Sequence, residues 1–145
     1  SIKDLGGYMK SILVSDEILN NYPDYIDFIK NNPGYSTLKV RASAANEAYP
    51  ISNVDIKVSR VIGEYEVIFY EGKTDSSGMI NNIILPSPKA INNDMEVPEF
   101  TEYKLSAISS VDDYNKTFNI SVCCGITVIQ YINITPKMME DGYGN

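Results

Sequence analysis

The chain has 145 residues and a mass of 16.2 kDa, the size of one ordinary domain. Its 12 Lys+Arg against 19 Asp+Glu leave a net charge of −7, a field that repels a phosphate backbone and argues against nucleic acid as a partner. The chain has no histidine, which excludes Ser-His-Asp and Cys-His catalysis, histidine metal sites and the usual near-neutral proton shuttle.

In chain order, the first 34 residues read as helical. Ser15 can cap a helix whose first turn carries Asp16 and Glu17, where the dipole favours acids. Pro23 suits the first turn of a second short helix bearing Tyr25, Ile26, Phe28 and Ile29, and Asn31-Asn32-Pro33-Gly34 stops it. Those apolar residues need a surface, either the following domain or a partner.

From Tyr35 the spacing changes to alternation. Leu38, Val40 and Ala42 alternate with Lys39 and Arg41. Pro50 opens a second strand with Val54, Ile56 and Val58 inward and Asp55 and Lys57 outward. A third runs from Tyr65 to Lys73 around Val67 and Phe69. Asp75-Ser76-Ser77-Gly78 is a turn, because Asp can bond its own backbone and Gly can take positive φ. Met79 to Leu85 forms the next strand, closed by Pro86-Ser87-Pro88, and a polar loop follows to about Glu99. Tyr103, Leu105 and Ala107 alternate again, then Phe118, Ile120 and Val122, and Val128 to Ile134 form the last strand before Pro136. Seven short strands with turn punctuation predict a mainly β sandwich of Ig-like type with a short helical extension. The expected organisation is a helical arm over 1–34, the sandwich over 35–136 and a tail over 137–145 that docks or hangs loose.

Three pieces occur in one order. They are Leu38-Lys-Val-Arg-Ala with Tyr49-Pro-Ile-Ser-Asn-Val-Asp-Ile-Lys-Val, Thr74-Asp-Ser-Ser-Gly78 with Ile84-Leu-Pro86, and Tyr103-Lys-Leu-Ser-Ala with Gly125-Ile-Thr-Val-Ile-Gln-Tyr-Ile-Asn-Ile-Thr-Pro136. Together they resemble the transthyretin-like, carboxypeptidase-regulatory-like sandwich. The last piece resembles the sandwich domain of clostridial spore-cortex-lytic and peptidoglycan-binding proteins. The resemblance covers about Ser36–Pro136. It implies an accessory module without an active site of its own.

Residues that could carry chemistry are few. Asp112-Asp113 and Glu64 with Glu66 are the nearest to paired carboxylates, but glycoside hydrolysis needs two acids across a cleft, and these fall in turns or on outward positions. Asp75, Ser76 and Ser77 lack the oxygens and spacing of a calcium loop. Lys39, Asn133 and Glu102 are the only trio that could close an isopeptide, which requires a buried lysine, whereas Lys39 alternates outward. Cys123 and Cys124 are adjacent, so in a strand they point apart, against a mutual disulfide. Tyr65, Tyr70, Tyr103, Tyr114 and Tyr131 fall on or beside strands, where tyrosine either lines a sandwich or presents a surface for sugars or proteins.

The expectation is a non-enzymatic binding or assembly module with no catalytic residue, cofactor or metal site. Its partner is a protein or a cell-wall glycan, with self-association or a larger assembly compatible, and no nucleic acid. No window approaches the ~20 apolar residues of a membrane span, and no signal-peptide pattern is visible. The resemblance favours the cell envelope or spore. A virion subunit of the phage-tail kind is the alternative.

Overall fold

The computed structural model describes residues 9–90, 95, 97–123 and 125–135. Its strands are β1 (Lys10–Leu13), β2 (Gly34–Ala44), β3 (Tyr49–Pro50), β4 (Asp55–Ile62), β5 (Tyr65–Lys73), β6 (Met79–Ser87), β7 (Thr101–Ser109), β8 (Tyr114–Val122) and β9 (Thr127–Asn133), with one α-helix, α1 (Pro23–Asn31). One sheet has the order β1-β5-β4-β7-β8. The other is built around β2, which pairs antiparallel with β3 and β6 and parallel with β9. The expected mainly β, two-sheet sandwich is therefore what the chain forms.

Alternation explains the core. In β2, Leu38, Val40 and Ala42 have no exposed surface while Tyr35, Thr37, Lys39 and Arg41 point outward. Ile83 and Leu85 of β6 and Ile132 of β9 join them from the same sheet. Ile56 and Val58 of β4, Val67 of β5, Leu105 and Ala107 of β7, and Ile120 and Val122 of β8 meet them from the opposite one. Tyr103 reaches across: it is buried on β7, and its hydroxyl donates to the carbonyl of Pro86 on β6.

The N-terminal arm closes one end of this core. Pro23 starts α1 where its missing N–H costs nothing, Asp24 lies in the first turn and Lys30 in the last. The helix lowers Phe28 onto Phe69 at 5.9 Å and Tyr103 at 6.4 Å between ring centroids. The register between β4 and β5 skips Phe69, pairing Val58 with Tyr70 and Ser59 with Ile68. This bulge gives Phe69 its aim at the two other rings. The Arg60 guanidinium covers Phe28 at 5.3 Å and donates from Nη1 to the Glu102 carbonyl at 2.7 Å. Asn32 latches the helix end, donating from Nδ2 to the Phe28 carbonyl at 2.9 Å and accepting through Oδ1 from the Thr101 hydroxyl.

Several boundaries differ from expectation. The described residues form nine strands rather than seven. One addition is β1, inside the stretch read as helical: Ser11 pairs with Glu66 and Ile12 with Val67 in a parallel ladder. Its four residues are too short for alternation to register, and their partner lies more than fifty positions away. The helix expected from Ser15 is a five-residue 3-10 turn, Glu17–Asn21, capped by Asp16, whose carboxylate accepts from the Ile18 N–H at 3.0 Å. Pro50 sits with Tyr49 in the two-residue β3 and does not open β4. The tail over 137–145 lies outside the described residues.

The turn at Asp75–Gly78 is the one the sequence predicts. Asp75 Oδ1 accepts from the N–H groups of Ser77 and Met79, each at 2.9 Å, and Gly78 has φ +73°. A Cβ at Gly78 would collide with the Ala42 carbonyl oxygen. Gly78→Ala should therefore lower the unfolding free energy by about 2 kcal/mol, seen as a lower urea midpoint at unchanged slope. Phe28→Ala should cost about 3 kcal/mol and shift a single transition, because the arm and sandwich share one core; a separate early transition would refute that.

Candidate functional site

The two outer faces of the sandwich differ in kind. On the five-stranded sheet, Glu66 of β5 is surrounded by polar groups from three neighbouring strands. Ser59 donates to its Oε2 and Ser11 to its Oε1, each at 2.7 Å. Lys57 and Lys104 place their Nζ atoms 3.4 and 3.6 Å from Oε2. Partial burial alone would raise the Glu66 pKa, but the two hydroxyl bonds and the two lysines outweigh it and lower the value to about 2. This carboxylate is a tie between β1, β4, β5 and β7, the opposite of a poised acid or base.

Among the described residues the outer face of the β6-β2-β9 sheet has no such network. Its cross-strand neighbours are Ile84 with Thr37, Lys39 with Ile129 and Arg41 with Tyr131. Ile84, Ile129 and Tyr131 are about half exposed, and Tyr35 is 65% exposed at one end. Apolar area interleaved with two cations thus stands open to solvent on this sheet face. The charge of Arg41 is met at 3.9 Å by Glu47. At the other end the face runs into a cavity of about 400 Å³ between Tyr131, Asn133 and Thr135 on one side and Asn46 and Glu47 on the other.

The structure separates the residues singled out from sequence. Asp112 and Asp113 are exposed on the 3-10 turn Val111–Asp113 between β7 and β8, both with positive φ. Glu64 and Glu66 lie by the β4–β5 turn, at the opposite end of the sheet, so no facing carboxylate pair forms. The Glu64 N–H donates to the Tyr22 hydroxyl at 2.8 Å. The isopeptide trio is likewise dispersed: Lys39 pairs with Ile129, Asn133 pairs with Ser43, and Glu102 is exposed on the other sheet. Asp75 spends its carboxylate on the turn, and among the described residues no group of three His, Cys, Asp or Glu could hold a metal ion. Cys123 is buried, and Cys124 lies outside the described residues.

The tyrosines sort by environment. Burial raises the pKa of Tyr103 and, less strongly, that of Tyr114. Tyr65 packs edge-on against Tyr22 at 5.1 Å, and Tyr70 leans on the core. Of the five strand tyrosines only Tyr131 is exposed. Sequence reasoning missed Tyr35 and Tyr49, both more exposed. For Tyr35 the signal was present, since it shares the outward parity of Thr37, Lys39 and Arg41.

No family model matches the chain, and no curated protein matches it. Among solved structures it is similar to 5-hydroxyisourate hydrolase of Klebsiella pneumoniae, at 18% sequence identity and a TM-score of 0.48, over 70% of this chain and 90% of that one. The sandwich rests on the strand pairings described above, and this likeness adds no argument about chemistry.

Glu66 supplies a titration to measure. Its folded pKa lies below the unfolded value near 4.5, so its stabilisation is complete above that pH and lost as pH falls towards about 2. Glu66→Gln should be less stable than the parent at neutral pH and converge with it as the pH falls through that window. Urea midpoints measured from pH 7 to pH 2 would test this, and a constant offset throughout would refute it.

Proposed function

We propose that the chain is a non-catalytic binding or assembly module of the bacterial envelope, accessory to peptidoglycan or spore-cortex machinery. In this reading it is a transthyretin-like, carboxypeptidase-regulatory-like domain of the kind found in clostridial spore-cortex-lytic proteins. The observation that carries it is the outer face of the β6-β2-β9 sheet, where Tyr35, Ile84, Ile129 and Tyr131 are exposed beside Lys39 and Arg41. Aromatic and aliphatic side chains held on a sheet lose little entropy on contact, so they favour recognition over catalysis. The carboxylates tell the same way: Glu66 is engaged by four partners, and Asp112 and Asp113 lie at the opposite end of the sheet from Glu64 and Glu66.

A structural subunit of a phage tail or phage-tail-like particle is the second reading. It is favoured by Ile18, Ile26 and Ile29, exposed on the docked arm, and by β9, which among the described residues pairs only with β2. Such features suit contacts between copies.

Co-sedimentation with purified sacculi and spore cortex over a salt series tests the first reading. Saturable pelleting that survives moderate salt is expected, and Tyr35→Ala combined with Ile129→Asp should weaken it about tenfold. A chain of charge −7 does not adhere to an anionic wall by simple attraction, so non-specific pelleting would fade in the salt-free limit. Absence of pelleting together with concentration-dependent assembly in light scattering would replace the first reading with the second.

A further inference from the structure

At the Asn133 end of the exposed face, Ala45, Asn46 and Glu47 take φ values of 51°, 55° and 70° in succession. Non-glycine residues rarely enter the left-handed region, and the described residues hold no other run of three. These residues lie in the loop that joins β2 to β3, where Ala44 pairs with Tyr49, so the left-handed backbone is what closes this hairpin. The turn is closed by the Ala48 N–H donating to the Ala45 carbonyl at 3.2 Å, and Arg41 draws in the Glu47 carboxylate. Its effect is to raise Asn46 and Glu47 into a wall opposite Tyr131, Asn133 and Thr135, over a floor that includes Ala44 and the buried Ile134. Ser43, the cross-strand neighbour of Asn133, has a buried hydroxyl with no hydrogen-bond partner among the described residues.

The chemistry of the cavity selects its ligand. No lining residue carries a positive charge, so an anion has no anchor. The single carboxylate faces the Arg41 guanidinium at 3.9 Å, which disfavours a second cation there while leaving oxygen lone pairs free to accept. An apolar ligand would strand two amides and a hydroxyl without partners. Tyr131 lines the cavity with an exposed aromatic side chain, Asn46 and Asn133 can both donate and accept, Thr135 can do the same through its hydroxyl, and Glu47 can accept. A ring with one C–H face and hydroxyl or acetamido groups around its rim uses all of them. The cavity has a volume of about 400 Å³ and is open to solvent.

We infer that this cavity is a saccharide subsite that stacks one uncharged pyranose unit of a glycan chain on Tyr131 and hydrogen-bonds its rim through Asn46, Asn133 and Thr135. The inference rests on the binding-module reading and gives that reading a ligand class. The test is a nitrogen-15 shift titration of the full chain with a β-1,4-linked N-acetylglucosamine tetrasaccharide. Saturable shifts are expected at the amides of Asn46, Asn133 and Thr135. Tyr131→Ala should weaken the interaction about tenfold or more, while Tyr131→Phe, which keeps the ring, should retain it. Tyr131 is exposed, so an unchanged spectrum away from the cavity will show that both variants are folded. Shifts confined to other parts of the surface, or shifts that persist in Tyr131→Ala, would overturn the assignment. No shift from a chain that still pellets with sacculi would overturn the cavity and leave the binding module standing. No shift and no pelleting would overturn both.

Discussion

Tyr103 is the point at which the rest of the molecule is tied together. It stands on β7 of one sheet, bonds its hydroxyl to the Pro86 carbonyl on β6 of the other, and turns its ring towards Phe69 and Phe28. A buried hydroxyl without a partner would be costly, so this bond sets how the two sheets face each other at that end. The ring then decides what closes the end. Phe69 reaches it through a bulge, Phe28 through α1, and Arg60 roofs the cluster. The arm is thus continuous with the core, and its apolar residues find their surface on the chain's own sandwich.

With that end closed, the two outer faces are left to diverge. The five-stranded face is stitched by Glu66, whose four partners come from β1, β4 and β7 and leave its carboxylate no unfilled role. The β6-β2-β9 face has equal regularity but exposes apolar rings and branched chains between two cations. A sheet face of that composition gains from being covered, whereas the Glu66 face does not. The left-handed turn at Ala45–Glu47 closes the β2–β3 hairpin at the end of the exposed face and forms one wall of the cavity there.

Local chemistry made much of this legible from the chain itself. The alternation of Leu38, Val40 and Ala42 placed β2 and its inward side, Pro23 placed the start of α1, and Asp75 with Gly78 placed a turn, because each signal is complete within a few residues. Where the reading went astray, the deciding partner lay elsewhere in the chain. Lys10–Leu13 becomes a strand because β5 offers an edge, and the Ser15 region forms a short 3-10 turn that buries Leu19 in place of the expected helix. The carboxylates were visible as residues, yet their distance apart along the sheet was not.

The sequence by itself determined a histidine-free, acidic, mainly β chain with a short apolar helix before it, since composition and period-two patterning are properties of neighbouring residues. Only the tertiary structure decided which tyrosines are core and which are surface. Tyrosine is amphipathic, and although Tyr103 alternates with Leu105 and Ala107, Tyr131 lies in a run too apolar for alternation to give its side, so what distinguishes them is whether another layer lies above the ring. Packing against α1 and Pro86 buried the first. The second stands exposed at the edge of the cavity.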